Sequence, residues 1–312
     1  MIHSKTTAFM FPGQGSQAIG MGKALGAEFP EAGAIFSLAD KILGFPLSET
    51  MWNGPEAALN DTINTQPALF VHSMAAWNVY KSKFPNAFPG LMAGHSLGQL
   101  SAITAAGALS FEDGLLLVRK RGELMKQAGE VNPGGMAAIM GIDIPSLDRV
   151  CAEASTPDET VQVANDNCPG QVVISGHKPA LERALLGAKA AGAKRALPLA
   201  VSIAAHSPLM NSIQAEWEQA VNAAAFSDVN IPVVGNVSAK TITKAAELRT
   251  ELIFQMQSRV RWTESIKWMT SQGINTFVEI GSGTVLGGLV KRIVEGVSSL
   301  PFGNPVDFDA LK

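Results

Sequence analysis

Five consecutive residues, Gly94-His95-Ser96-Leu97-Gly98, restrict the fold of this chain more than any other stretch. They match G-x-S-x-G, a sharp turn by which a buried strand passes directly into a helix with a serine at its apex. Glycine on both sides of the serine relieves the crowding of such a turn. The flanks have the required character: Leu91-Met92-Ala93 reads as a short apolar strand, and residues 98–107 read as a helix rich in small side chains. In that geometry the Ser96 hydroxyl stands above a sheet. The Leu97 amide points to where an oxyanion would form, near the positive end of the following helix.

A strand that feeds a helix in this way belongs to an α/β layer, and the rest of the chain supplies one. Short apolar runs alternate with longer helical patterns, which predicts a mostly parallel sheet. Ala8–Phe11 reads as a buried strand ended by Pro12-Gly13, and residues 113–128 as an amphipathic helix. The pattern changes at Asn132-Pro133-Gly134-Gly135. After it come a strand over Met136–Met140, a helix over 145–155, strands over Val161–Ala164 and Gln171–Ser175, a helix over 179–191 and a strand over Ala196–Leu199. That order, βαββαβ, is the split ferredoxin-like arrangement. Leu199–Ile203 reads as strand-like, and Ile231–Val234 and Thr276–Ile280 return to the main sheet. The expected architecture is a hydrolase-like parallel-sheet core over residues 1–129 and 201–312, with a ferredoxin-like subdomain inserted over 130–200.

Bulk properties exclude several classes. A chain of 312 residues with 46% hydrophobic content can bury a large core. A net charge of −3 and a single tyrosine, Tyr80, argue against nucleic acid as partner. No apolar run approaches the roughly 20 residues of a membrane span. The opening Met1-Ile2-His3-Ser4-Lys5-Thr6-Thr7 lacks a signal-peptide pattern. Cys151 and Cys168 form neither a CxxC nor a disulfide framework, so a reducing cytoplasm is expected.

A serine nucleophile needs a base. Of the five histidines, His3 is terminal, His72 lies in an apolar helical stretch, His95 lies inside the turn and His177 follows a strand of the insert. His206, in Ala204-Ala205-His206-Ser207-Pro208, reads as a loop histidine at a strand end, where catalytic residues gather in α/β folds. No acid stands at a strand end between Ser96 and His206, since Asp143, Asp148 and Asp166 fall in the insert. A Ser–His dyad is therefore expected, its imidazole oriented by a carbonyl or amide.

A second glycine-rich stretch, Gly13-Gln14-Gly15-Ser16-Gln17-Ala18, fits the dinucleotide fingerprint, and Asp40 lies at a suitable distance. The second strand of that motif is missing, because Asp40 sits in a helical pattern. Gly281-Ser282-Gly283 reads as a packing turn. The scattered histidines hold no metal motif.

Taken in order, Phe11-Pro12-Gly13-Gln14-Gly15-Ser16-Gln17, Gly94-His95-Ser96-Leu97-Gly98, Arg121-Gly122, Asn165-Asp166-Asn167, Gly170–Gly176, Ala205–Met210 and Val260-Arg261-Trp262-Thr263 resemble the malonyl-CoA:acyl carrier protein transacylases of bacterial fatty acid synthesis. The resemblance runs from about residue 7 to 295. It implies Ser96 as the nucleophile that becomes malonyl-serine and His206 as its base. Gln14 and the Leu97 amide would form the oxyanion hole, and Arg121 would clamp the malonyl carboxylate. The Gln255 backbone would orient the histidine, while Asn165 and Asn167 would lie near the coenzyme side of the cleft. It implies malonyl-CoA and an acidic acyl carrier protein as partners and no cofactor. Lys291-Arg292, with Lys189, Lys194 and Arg195, are candidates for a basic dock.

Three positions depart from the family pattern. Gln99 and Leu100 stand where a glutamate and an aromatic are common, and Ala205 stands where phenylalanine or serine is usual. A small side chain there leaves room for a methyl branch, so measurable methylmalonyl transfer is expected. A serine thioesterase or hydrolase, an acyltransferase serving a polyketide-type carrier, and a non-catalytic binding module are the competing readings.

Overall fold

The computed structural model describes residues 2–311; Met1, the first residue of the N-terminal stretch discussed above, and Lys312 lie outside the described residues. Strand β1 (Thr7–Phe11) is buried at every position. That burial explains the apolar run Ala8–Phe11, because an inner parallel strand has both faces covered. It pairs in parallel with β2 (Leu91–Gly94). Four strands, β3 (Gly134–Met140), β4 (Val161–Cys168), β5 (Gln171–His177) and β6 (Arg195–Pro198), form a separate antiparallel sheet in the order β4-β5-β3-β6. The chain then returns to the main sheet as β7 (Val233–Val234), β8 (Thr241–Ile242), β9 (Thr276–Ile280) and β10 (Ser298–Phe302). The main sheet runs β10-β9-β1-β2-β7-β8, parallel except at the β7–β8 edge.

The smaller sheet carries the helices Ile144–Ala154 and Lys178–Ala190, giving the βαββαβ order, and has its own apolar core around Ile139, Leu147, Val163 and Ile174. It is stitched to the main body along β4. Val260 N–H donates to Ala164 O at 2.8 Å, and Asp166 N–H donates to Val260 O at 2.9 Å.

Two helices matter most for the site. Thr62–Lys83 is buried on nearly all sides, and Asp61 caps its start. Phe111–Val131 is amphipathic: Ser110 caps it, accepting from Asp113 N–H at 3.0 Å, and its buried stripe includes Val118, Arg121, Gly122, Met125 and Ala128. A Cβ on Gly122 would lie 2.9 Å from Thr62 O. Glycine there lets the two helices meet closely, which carries Arg121 inward.

Two sequence expectations change. Leu199–Ile203 is not a strand: Leu199 N–H still bonds Met136 O, but Val201 N–H folds back onto Leu199 O at 2.8 Å. Such a three-residue turn cannot continue a ladder. The chain leaves β6, and its pairing with β3, here and turns to bring His206 to the other sheet. The strand expected over Ile231–Val234 is reduced to Val233–Val234, although Pro232 O still accepts from Met92 N–H at 3.0 Å. Among the described residues, no helix is long and apolar enough to cross a membrane.

Candidate active site

The turn after β2 is as tight as its glycines predict. A Cβ on Gly94 would lie 1.9 Å from Gly98 O, and one on Gly98 would lie 2.0 Å from Phe11 O. Either contact is with backbone that cannot move aside. Ser96, at the apex, has φ 52°, a left-handed conformation uncommon for a residue with a side chain. His206 has φ 58°. Strain at two residues that meet each other marks a functional site when the surroundings hold both in place.

They do meet. Ser96 Oγ lies 2.8 Å from His206 Nε2. On the far side of the imidazole, Nδ1 faces two main-chain carbonyls, Gln255 O at 2.9 Å and Ser258 O at 3.1 Å. Both are acceptors only, so Nδ1 carries the proton and Nε2 is free to accept the serine's. The Ser–His pair expected from sequence therefore has its orienting carbonyls. Burial, followed by the Arg121 charge, lowers the His206 pKa to about 3, keeping the ring neutral at neutral pH.

Arg121 is 2% exposed. Its Nη2 donates to Ser96 Oγ and to Gln255 Oε1, each at 3.0 Å. Its Nη1 donates to Gln66 Oε1 at 2.9 Å and reaches Met125 Sδ at 3.4 Å, while Nε has no partner. Among the described residues, no carboxylate pairs with it. Burial alone lowers its pKa to about 10, still well above neutral pH. The result is a desolvated two-pronged cation beside the nucleophile, held by neutral amides and suited to an incoming carboxylate.

The turn after β1 lies against the elbow: a Cβ on Gly13 would sit 2.4 Å from His95 O. Gln14, next in sequence, is exposed, and its Oε1 accepts from Thr62 Oγ1 at 3.2 Å. Among the described residues, the main-chain N–H groups of Gln14 and Leu97 have no hydrogen-bond partner. Asn165 and Asn167 behave differently. Asn165 is buried in β4 opposite Val260, and Asn167 Oδ1 bonds His95 Nε2 at 2.8 Å. Neither bonds Ser96, His206 or Arg121. Lys291 and Arg292 are exposed at the end of the helix Val285–Ile293.

Several contacts of the site carry no sequence signal. Gln255 matters through its side chain as well as its carbonyl: Nε2 donates to Ser96 O at 2.9 Å and to Gln99 Oε1 at 2.5 Å. Gln99 in turn donates to Glu251 Oε1 at 3.3 Å. Gln66, Asn236 and Gln162 complete the surroundings; Gln162 Nε2 donates from β4 to His206 O at 2.8 Å. Uncharged amides have no distinctive spacing, so only the folded arrangement picks them out. The dinucleotide-like loop is accounted for structurally: Asp40 accepts from Ser48 N–H at 2.9 Å, and Ser282 Oγ ties the second glycine turn to Ser16 O at 2.6 Å.

Residues 8–300 match the acyl transferase domain family. A malonyl CoA-acyl carrier protein transacylase of Bacillus subtilis is 44% identical over 298 residues, covering 96% of this chain and 93% of the relative. This chain belongs to the malonyl CoA-acyl carrier protein transacylases. The fold agrees with the transacylase sequence match. An acyl carrier protein S-malonyltransferase from Vibrio cholerae superposes with a TM-score of 0.95 at 41% identity, covering 99% of this chain and 100% of that one. A malonyl-transacylase solved in complex with a type II PKS acyl-carrier protein superposes with a TM-score of 0.93 at 42% identity, covering 98% of each chain. The transacylase fold thus comprises both the parallel main sheet and the smaller antiparallel one.

Proposed function

We propose that this chain moves a malonyl group from malonyl-CoA to the phosphopantetheine thiol of an acyl carrier protein by way of a malonyl-Ser96 ester. One observation carries the reading: Ser96 Oγ lies 2.8 Å from a neutral imidazole nitrogen and 3.0 Å from a buried guanidinium. In a malonyl thioester only one methylene separates the reacting carbonyl from the free carboxylate. The cation that recognises it must therefore stand next to the nucleophile.

In the first half-reaction Ser96 Oγ attacks the thioester carbonyl while His206 Nε2 takes its proton. The Gln14 and Leu97 amides receive the oxyanion, and coenzyme A leaves as its thiol with the proton from His206. In the second half, His206 takes the proton of the phosphopantetheine thiol, the sulfur attacks the ester and Ser96 is restored. Arg121 releases its bond to Ser96 Oγ and grips the malonyl carboxylate through both stages. An acetyl group would leave the guanidinium buried and unpaired, a loss of about 3–5 kcal/mol.

A hydrolase with the same elbow would place an acid on His206; here two carbonyls occupy that position. We assign residues 1–129 and 201–312 to the catalytic body and 130–200 to the subdomain, Lys291 and Arg292 to the carrier dock, and the protein to the cytoplasm, where buried unpaired Cys151 and Cys168 remain reduced.

Intact-mass measurement after mixing with malonyl-CoA tests the proposal. A stable malonyl adduct mapping to Ser96 is expected, discharged by added carrier protein. Steady malonate release without carrier would make the protein a hydrolase instead.

A further inference from the structure

Asn236 lies just beyond β7 and is 1% exposed. Strand β7 pairs with β2 through Met92↔Val233 and Ala93↔Val234. Continuing that parallel register by two residues would set residue 236 opposite His95, with its main chain bonding Gly94 O and Ser96 N–H. At that point, however, β2 turns into the elbow, and the Asn236 carbonyl is diverted to Arg261 N–H at 2.9 Å. The side chain takes over: Asn236 Nδ2 donates to Gly94 O at 2.8 Å, and Oδ1 accepts from Ser96 N–H at 2.7 Å. Its carboxamide thus substitutes for one peptide unit of the missing strand. Gln255 Nε2 also donates to Oδ1, at 3.3 Å.

We propose that Asn236 is a positioning residue for the nucleophile, holding the left-handed Ser96 backbone so that Oγ points at His206. The inference rests on the acyl-transfer reading of the site. Only a group that donates on one side and accepts on the other can bridge these two main-chain atoms. Alanine supplies neither function. An ionised aspartate accepts from Ser96 N–H but sets a negative oxygen against Gly94 O. A protonated aspartic acid restores both bonds.

The test measures malonyl transfer by Asn236→Ala and Asn236→Asp from pH 5.5 to 8, and labelling of Ser96 by a fluorophosphonate in the same proteins. We expect Asn236→Ala to lower kcat by about 10- to 100-fold with KM little changed, as a misaligned nucleophile does. Asn236→Asp should lose as much at pH 8 and regain most of it, relative to the parent protein, at pH 5.5. Fluorophosphonate labelling should follow the same order. Because labelling involves no malonyl group, it judges the clamp separately: failure of the parent protein to accept malonyl-CoA would sink the acyl-transfer reading and leave this comparison intact. Labelling and transfer unchanged in Asn236→Ala, or an aspartate deficit independent of pH, would overturn the proposal. If Asn236→Ala does not fold, the aspartate pH comparison decides alone.

Discussion

At the scale of single residues the site is built from opposed demands on one oxygen. Ser96 Oγ accepts from Arg121 and gives its proton towards His206, so before substrate binds the guanidinium holds the hydroxyl in line with the imidazole. Replacing Arg121 with alanine should lower kcat/KM for malonyl-CoA by about 10²–10³-fold while narrowing the preference over acetyl-CoA, measured by competing the two substrates. Lysine should rescue little, because one ammonium cannot replace the fork held by Gln66 and Gln255. The buried histidines also set an acid limit on stability. His206, His72 and His95 all have lowered pKa values, burial being the main cause, so below the ordinary histidine value near 6.5 the unfolded chain binds protons that the folded one refuses. Stability should therefore fall as the pH drops from about 6.5 towards 3, and His206→Ala should flatten part of that slope in urea midpoints taken at several pH values.

At the scale of elements, legibility followed burial. β1 and β9 could be read from sequence because inner parallel strands are mostly apolar, and the βαββαβ order could be read because turns separate its pieces. Leu199–Ile203 misled because it alternates like a strand, whereas its backbone turns on itself after the end of β6. Ser96 and His206 were legible through motif and position, and Arg121 only through the joint pattern of motifs. Gln66, Gln99, Gln162 and Asn236 were not, since an amide acquires its role from whatever the fold sets against it. The elbow glycines give a direct check. Gly98→Ala would drive a methyl into Phe11 O and should destabilise the protein by about 2 kcal/mol or more, seen as a lower urea midpoint. Gln162→Ala tests the join between the two sheets: it frees the His206 carbonyl, and a kcat loss of about threefold to tenfold is expected without loss of the smaller sheet's own fold.

For the molecule as a whole, partner choice depends on what surrounds Ser96, His206 and Arg121. Reversing Lys291 and Arg292 to glutamate should weaken carrier affinity and abolish much of its salt dependence while leaving acylation by malonyl-CoA intact. Unchanged affinity across a salt series would move the dock elsewhere. Ala205, buried beside His206, removes bulk where the family usually has more, and slow but measurable methylmalonyl transfer should follow.

The Arg121 cation also bears on folding itself. A positive charge enclosed without a counter-ion makes the resting protein less robust than it becomes once an anion docks, so small dicarboxylates should act as folding ligands. Malonate should raise the melting temperature at concentrations where acetate and chloride of equal ionic strength do nothing, and Arg121→Ala should abolish the difference. Selectivity would then be readable in a thermal melt, with neither coenzyme nor carrier in the tube.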